Sequence, residues 1–543
     1  MIKKIISVLL ISAFLVSLAA CGKGDGTGAA IFFPIEKEPA SLDPQLCSNR
    51  SEETVINNIY EGLMRLDKDG RPVPGAAEAV SVSTDGLVYS FTIRSGAKWH
   101  LIKNFEDLFG EDYEDNFNND LTAADFVFGM RRAVTPSTKA PDAKFLFPIK
   151  NAEKINRGQL APSSLGIAAV GDKKLTVTLE KPCAEFLSVL AMPVSMPCNE
   201  RFFNATKGRY GLDLKYTMCN GPFYLSKWSY DTSMYIKQNP DYVGASVVKP
   251  ASVTLFFDGD TKMYPKKLSD STYDAVPVTE ADLGYFNDKF RITEFKNTVW
   301  CLCVNCKDEM LSNTYLRHAL LQTFDRGSLD FPGDSEEAGG IVPDCCEIGG
   351  LNYRRTAGNV GVTEKNSKVA VAYRDKAFEE LKITSFSVTV LCTEETDMLV
   401  KQIIQTWQKY FGITVRATSR TAEQSEIENE VASGRFQIAI LPLSTTSSFT
   451  PVCLSSYTSS SDKNILRFSS GSFDSGLKKA FTSASASAAA SAYKAAESAL
   501  IKSGAVYPLY KKSEYLVSAE RAEGIATCPA GDYISFASVL SND

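Results

Sequence analysis

Two apolar periods alternate along most of this chain, and their alternation restricts it to layered α/β architectures. A two-residue period marks strands at 87–94 (LVYSFTIR), 174–180 (KLTVTLE) and 233–239 (SMYIKQN), each bounded by Gly, Asp or Pro. A helical period marks 51–66, where Ser51 can cap and Val55, Ile59 and Leu63 recur every four residues. At 122–134 Thr122 and Asp125 form an approximate capping box; at 397–412 Leu399, Ile403 and Trp407 share one face before Gly412 stops the helix. The Ala/Ser run at 482–500 predicts a surface helix rather than a linker, because Ala favours helix and Tyr493, Ala496 and Leu500 supply a seam.

The chain beyond its N-terminal segment, about 520 residues, exceeds what one hydrophobic core serves, so two or three domains are expected. Its 44% apolar and 22% charged residues are ordinary for a globular protein. A formal charge of -6 with no basic face argues against nucleic acid as a partner. Residues 104–120 hold seven carboxylates. They lack the ligand order, central Gly and terminal Glu of an EF-hand loop, so a solvated surface loop is expected and no metal site.

The N-terminus reads as an address. Lys3 and Lys4 form a positive region, Ile5 to Leu18 an apolar one of signal-peptide length, and Leu18-Ala19-Ala20 the small residues before a cleavage point. Leu18-Ala19-Ala20-Cys21 resembles the bacterial lipobox, which makes 1–20 a signal peptide and Cys21 the lipidated first residue of the mature protein. Two or more acyl chains suffice for stable anchoring. Residues 21–30, with Gly22, Gly24, Gly26 and Gly28, then form a flexible tether. After Ile31 no apolar run is long enough to cross a bilayer, so the expected location is the outer side of the cell membrane, attached through lipid only.

Removing Cys21 from the thirteen cysteines leaves an even number that an extracytoplasmic location could pair. Sequence leaves the pairing open. Cys301, Cys303 and Cys306 are dense enough to suggest a metal site, yet Trp300, Leu302 and Val304 alternate with Cys301, Cys303 and Asn305 as in a strand covered on both faces. A second ligand pair with zinc spacing is missing, so these are expected to be buried thiols.

Several blocks, taken in order, resemble the extracytoplasmic solute-binding proteins of the oligopeptide and dipeptide ABC-importer family. They are EPASLDP (38–44), the run from Asn57 to Trp99, LTAADFVFGMRRAVTP (121–136), LGIAAVGDKKLTVTLEKP (165–182), NGPFYLSKW (220–228) and YLRHALLQTFDR (315–326). GRFQIA (434–439) and AVYPLYKKSEYLV (505–517) extend the likeness toward the C-terminus. The resemblance implies a two-lobed α/β fold of the hinged, type II periplasmic-binding kind with an extra N-terminal subdomain. By analogy, lobe one takes 31–55, 168–262 and 490–543, the subdomain 56–167 with an acidic insertion at 100–120, and lobe two 263–489. It also implies a monomer that closes on a peptide or other small solute and presents it to ABC permease subunits.

The resemblance places the cleft as well. Ser48, Asn49 and Arg50, after SLDP, should border it, and Asn220 and Gly221 match a family turn at the start of a lobe-one strand. Peptide binders of the family usually carry a Trp and then an Asp-Tyr near 443–447, the Asp pairing with the ligand ammonium; here stand Leu443, Ser444 and Thr446. A hydroxyl cannot neutralise an ammonium, and Pro442 removes an N–H that an added strand could use. Asp142 is the expected replacement acid, and Arg50 the expected partner of a ligand carboxylate.

Catalysis finds no parts. His100 and His318 are the only histidines, no Gly-x-Ser-x-Gly or His-Glu-x-x-His motif occurs, and nothing singles out a carboxylate pair, so no catalytic residue and no cofactor is expected. The alternatives left open are a binding protein for chelated nickel or a sugar, and an extracellular hydrolase or sensor on the same fold.

Overall fold

The computed structural model describes residues 29–113, 117–333, 335–445, 447–531 and 534–539. Residues 1–20, expected to be a signal peptide, Cys21 and Thr446 lie outside the described residues.

Three sheets organise the chain. The first has four strands in the order Ala30–Ile35, Ser252–Phe257, Ser233–Gln238, Phe223–Ser229, its first pair parallel and the others antiparallel. The second is an antiparallel meander-like sheet ordered Ala77–Val82, Val88–Ile93, Lys174–Thr178, Ile167–Val170. The third has seven strands, ordered Ala275–Thr279, Val506–Ala519, Phe290–Val304, Ile438–Ser444, Phe386–Cys392, Val415–Thr421, with Glu336–Glu337 pairing along Val506–Ala519. Its last three strands run parallel, so they need crossovers, and the helix Glu394–Phe411 supplies one.

Hydrogen bonding moves two boundaries drawn from the resemblance. Ile167–Val170 and Lys174–Thr178 pair with the subdomain sheet rather than with lobe one. Residues 506–519, expected in lobe one, are a central strand of the large sheet, antiparallel to Phe290–Val304. The chain then returns: Asn58 Nδ2 donates to Ile534 O at 2.7 Å, and Ile534, Phe536 and Val539 join the first core.

The strand Phe290–Val304 shows why cysteine suits its place. Val299, Cys301 and Cys303 face a layer that includes the helix Ala486–Lys502, while Trp300, Leu302 and Val304 face the layer of Trp407 and Ile403. Alternate residues point to opposite faces, and both faces are dry. Cys301 and Cys303 are fully buried and Cys306 half-buried.

Local readings succeed where side chains set the structure and fail where tertiary contacts do. The helix Ala123–Val134 carries the Thr122/Asp125 capping box. The helix expected over 51–66 spans only Arg50–Ile59 and is capped by Asn49, whose side chain accepts from Glu52 N at 3.1 Å. It ends early because the Asn220 and Gly221 amides both donate to Ile59 O. The acidic stretch is not merely solvated: Asp107, Glu111 and Asp112 are exposed, but Phe105, Tyr113 and Phe117 are buried in the first core. Among the described residues no helix is long and apolar enough to cross a membrane.

Candidate functional site

The helix Arg50–Ile59 opens onto the space between the two halves. Ser48 donates from both its amide and its hydroxyl to Glu52 Oε2, at 2.8 and 3.0 Å, which fixes the first turn. Asn49, Glu53 and Asn57 recur every four residues and so share one face. That face lines a cavity of about 110 Å³ together with Ser48 and Asp142. The large-sheet half closes it with Glu347, Ser447, Ser448, Phe449 and Lys463.

Charge and hydrogen bonding define what the cavity can hold. Its lining carries three carboxylates, Glu53, Asp142 and Glu347, against one ammonium, Lys463. Burial pushes the Asp142 carboxyl up, opposed by Lys144 and Lys463. Burial also raises Glu347, opposed by Arg71 and by a hydrogen bond from Asn352. Two buried acceptors in the lining have no partner: Asn57 Oδ1, on a residue 5% exposed, and Glu347 Oε2. Buried polar atoms are almost always bonded, so these two call for donors from outside the protein.

Glu347 also lines a second, open groove of about 590 Å³. Its cations are Arg71, Lys296 and Arg355, and it also contains Asp69, Glu294 and Asp344. One side chain thus forms the wall between an acidic chamber and a mixed-charge groove.

Of the residues expected at the cleft, Ser48, Asn49 and Asp142 meet in the cavity. Arg50 does not. One helical step turns it away from the Asn49 face; its Nη2 donates to Gly531 O at 2.8 Å and its Nη1 lies 3.4 Å from Glu514 Oε2. Leu443 and Ser444 pair with Val299 and Thr298 in the large sheet, Ser444 Oγ lying 2.8 Å from Thr298 Oγ1, and neither lines the cavity. The same segment enters the cavity a few residues later, through Ser447 to Phe449.

Asn220 and Gly221 are fasteners outside the lining. Asn220 Nδ2 donates to Glu61 O at 2.9 Å and its Oδ1 accepts from Glu61 N at 3.2 Å, as a paired strand would. A Cβ on Gly221 would stand 2.7 Å from Ile59 C and Tyr60 N, which are backbone and cannot step aside. Gly221→Ala is therefore expected to destabilise the fold by about 1–3 kcal/mol, read by urea denaturation, with the cavity lining unchanged.

Sequence reasoning missed Asn57, Glu53, Glu347, Ser447, Ser448, Phe449 and Lys463. The four-residue spacing from Asn49 could have found Glu53 and Asn57. Glu347 follows two cysteines in a stretch without period, and no sequence signal marks it.

A family model described as bacterial extracellular solute-binding proteins, family 5 Middle, matches residues 71–465. The chain belongs to that family. The dipeptide-binding protein DppE of Bacillus subtilis (strain 168) is 26% identical over 514 residues, 91% of this chain and 89% of that protein. The oligopeptide-binding protein OppA of the same organism is 26% identical over 441 residues, 75% of this chain and 76% of that protein. Among solved structures, the substrate-binding domain of an oligopeptide ABC transporter from Bacillus anthracis str. Ames superposes with a TM-score of 0.73 at 24% identity, covering 95% of this chain and 99% of that one. Listeria monocytogenes OppA bound to peptide gives 0.71 at 21% identity, covering 95% and 100%. The fold is the two-lobed α/β architecture of these binding proteins.

In this family 5 protein a buried carboxyl crosses the boundary between the halves. Glu185 precedes Phe186 and Val189 of the first core and accepts from Gly349 N, across the boundary, at 3.1 Å; its Oε1 has no partner. Burial pushes it up to about 8, the Gly349 amide opposes, and the charge of Glu347 adds to the rise. Cys183 and Tyr493 also face it. A carboxyl that titrates higher folded than unfolded gives stability that is full below its ordinary range, 4.5, and is lost as pH climbs through 8. Glu185→Gln is expected to flatten that loss and to stabilise the protein by about 2–4 kcal/mol near pH 8, seen in urea denaturation across the range.

Proposed function

We propose that this protein captures short peptides between its lobes and, anchored by lipid at Cys21 on the outer side of the cell membrane, delivers them to an ABC permease. The observation that carries the reading is the interlobe cavity, with its surplus of carboxylates and its two buried acceptors lacking donors. A peptide ammonium supplies such donors and the opposite charge together. The names of the relatives, dipeptide- and oligopeptide-binding, point the same way.

Size sets how a peptide would lie. At about 30 Å³ per water the cavity holds only a few water-sized groups, enough for an amino terminus and a small side chain. The rest of the ligand runs into the adjoining groove, where Arg71, Lys296 and Arg355 can meet its carboxylate. Because the lining comes from both halves, ligand contacts are complete only when the lobes are together, and binding shifts the population toward the closed form. Capture and release need no covalent chemistry, which is why the reading is a binding protein and not a hydrolase.

Calorimetry of the delipidated protein against pools of di- to hexapeptides, sugars and chelated nickel tests it. Heat is expected from peptides alone. A sugar or nickel signal with silent peptides overturns the substrate class, and absence of fatty acid on the processed N-terminus overturns the anchor.

A further inference from the structure

Two sulfurs meet just behind residues that line the cavity. Cys346 Sγ and Cys453 Sγ lie 3.5 Å apart, brought together from positions more than a hundred residues apart in sequence. Cys346 precedes Glu347, the residue shared by cavity and groove. Cys453 belongs to the short helix Thr450–Ser455 and follows Val452, which with Phe449 lines the cavity. The contact does not depend on loose backbone. Glu347 N donates to Ser448 O at 2.6 Å, Thr450 Oγ1 donates to Glu347 O at 2.8 Å, and Glu347 and Phe449 form a parallel bridge.

We propose that Cys346 and Cys453 are a site of disulfide formation, a covalent staple across the lobe-two wall of the ligand cavity. Bonded sulfurs lie at about 2.05 Å, so closure asks for an approach of roughly 1.5 Å, within the reach of side-chain rotation when the backbone is already in register. Neighbouring Cys345 is a poorer partner for Cys346, because it lines the groove on the other side. The family is extracellular, and disulfides persist outside the cytoplasm.

The oxidant is a small-molecule disulfide such as oxidised glutathione, or a thiol oxidoreductase in its disulfide form. Cys453, half-buried where Cys346 is fully buried, meets it first. The Cys453 thiol loses its proton and attacks one donor sulfur, and the donor S–S bond breaks to release one thiol. Cys346 then loses its proton and attacks the Cys453 sulfur of the mixed disulfide, releasing the second. The protein gives up two electrons and two protons, and the donor leaves as two thiols. A hydrogen bond that the Cys453 S–H donates to Cys346, together with burial, holds the Cys453 thiol well above its ordinary range, so the first step accelerates with rising pH. Once formed, the staple fixes Glu347 and Phe449 relative to each other without joining the two lobes, so opening and closing continue. It depends only on the two cysteines, so it stands whatever the ligand is.

The full chain, treated with oxidised glutathione, quenched in acid, alkylated in denaturant and digested without reductant, gives the test by mass spectrometry. A peptide carrying Cys346 linked to one carrying Cys453, lost on adding dithiothreitol, is expected. Recovery of both residues alkylated, or of Cys346 joined to Cys345, overturns the proposal. In Cys346→Ser the second step has no thiol, so glutathione is expected to stay on Cys453 as a mixed disulfide. A Cys453 that resolves into a protein disulfide in that variant also overturns it.

Discussion

Replacing Glu497 with alanine is expected to cost about 3–5 kcal/mol of stability, as much as truncating a large core side chain of the Ala/Ser helix. Glu497 is fully buried on the helix Ala486–Lys502. Its Oε1 accepts from Arg354 Nη2 at 2.9 Å and from the amides of Ile341 and Val342 at 2.7 and 3.0 Å, and its Oε2 accepts from Tyr353 OH at 2.7 Å. Removing it leaves a guanidinium 8% exposed and two amides without their acceptor. The penalty comes from those stranded groups rather than from the lost attraction itself. For that reason Arg354→Met with Glu497→Leu is expected to recover only the part of the loss due to the unpaired guanidinium, since the Ile341 and Val342 amides and the Tyr353 hydroxyl stay without their acceptor, and urea denaturation of the single and double variants separates the two parts. The site feels the change as well. Arg354 belongs to the same short helix, Tyr353–Ala357, as Arg355 of the groove, so Glu497→Ala should loosen that groove wall.

The Ala/Ser helix shows what the sequence could and could not say. Ala propensity and the seam of Tyr493, Ala496 and Leu500 place a helix there, and all three are buried in the structure. The same spacing gives no hint that Glu497 faces inward, because a carboxylate beside a seam is ordinarily solvated, and its partners come from residues 341–354. The cysteine strand is the opposite case. There a strict two-residue period meets coverage on both faces, and Cys301 and Cys303 fall where the period puts them. The cleft divides similarly. Ser48, Asn49 and Asp142 came from family order, which carries information about position along the fold. Arg50 lies outside the cavity lining, and order says nothing of the helical phase that turns its guanidinium toward Gly531. The pairing of 506–519 is not legible because a strand's sheet is chosen by its partners, and Val506–Ala519 finds them in Phe290–Val304 and Ala275–Thr279.

If a peptide ammonium occupies the cavity, Glu347→Gln is expected to weaken peptide binding about 30- to 1000-fold, the equivalent of roughly 2–4 kcal/mol for losing one partner of a desolvated charge pair. Glutamine keeps the shape and an acceptor oxygen but removes the charge, so the loss reports neutralisation and not a void. Two features single out Glu347 over Asp142. Its Oε2 is buried without a partner, and it stands in both the cavity and the groove. The contacts that tie residue 347 to Ser448 and Thr450 are made by its backbone, and a glutamine there keeps an acceptor oxygen for the Asn352 hydrogen bond. Stability of Glu347→Gln should therefore stay within about 0.5 kcal/mol of the parent, which separates a binding defect from an unfolding one. N-acetylation of the peptide supplies the control, because it removes the ligand's charge and leaves one donor. Acetylated peptides should bind parent and variant alike, closing the double-mutant comparison. Equal weakening of free and acetylated peptides would show that Glu347 shapes the wall and meets no ammonium. Loss of affinity in Asp142→Asn with none in Glu347→Gln would move the charge partner to the other side of the chamber.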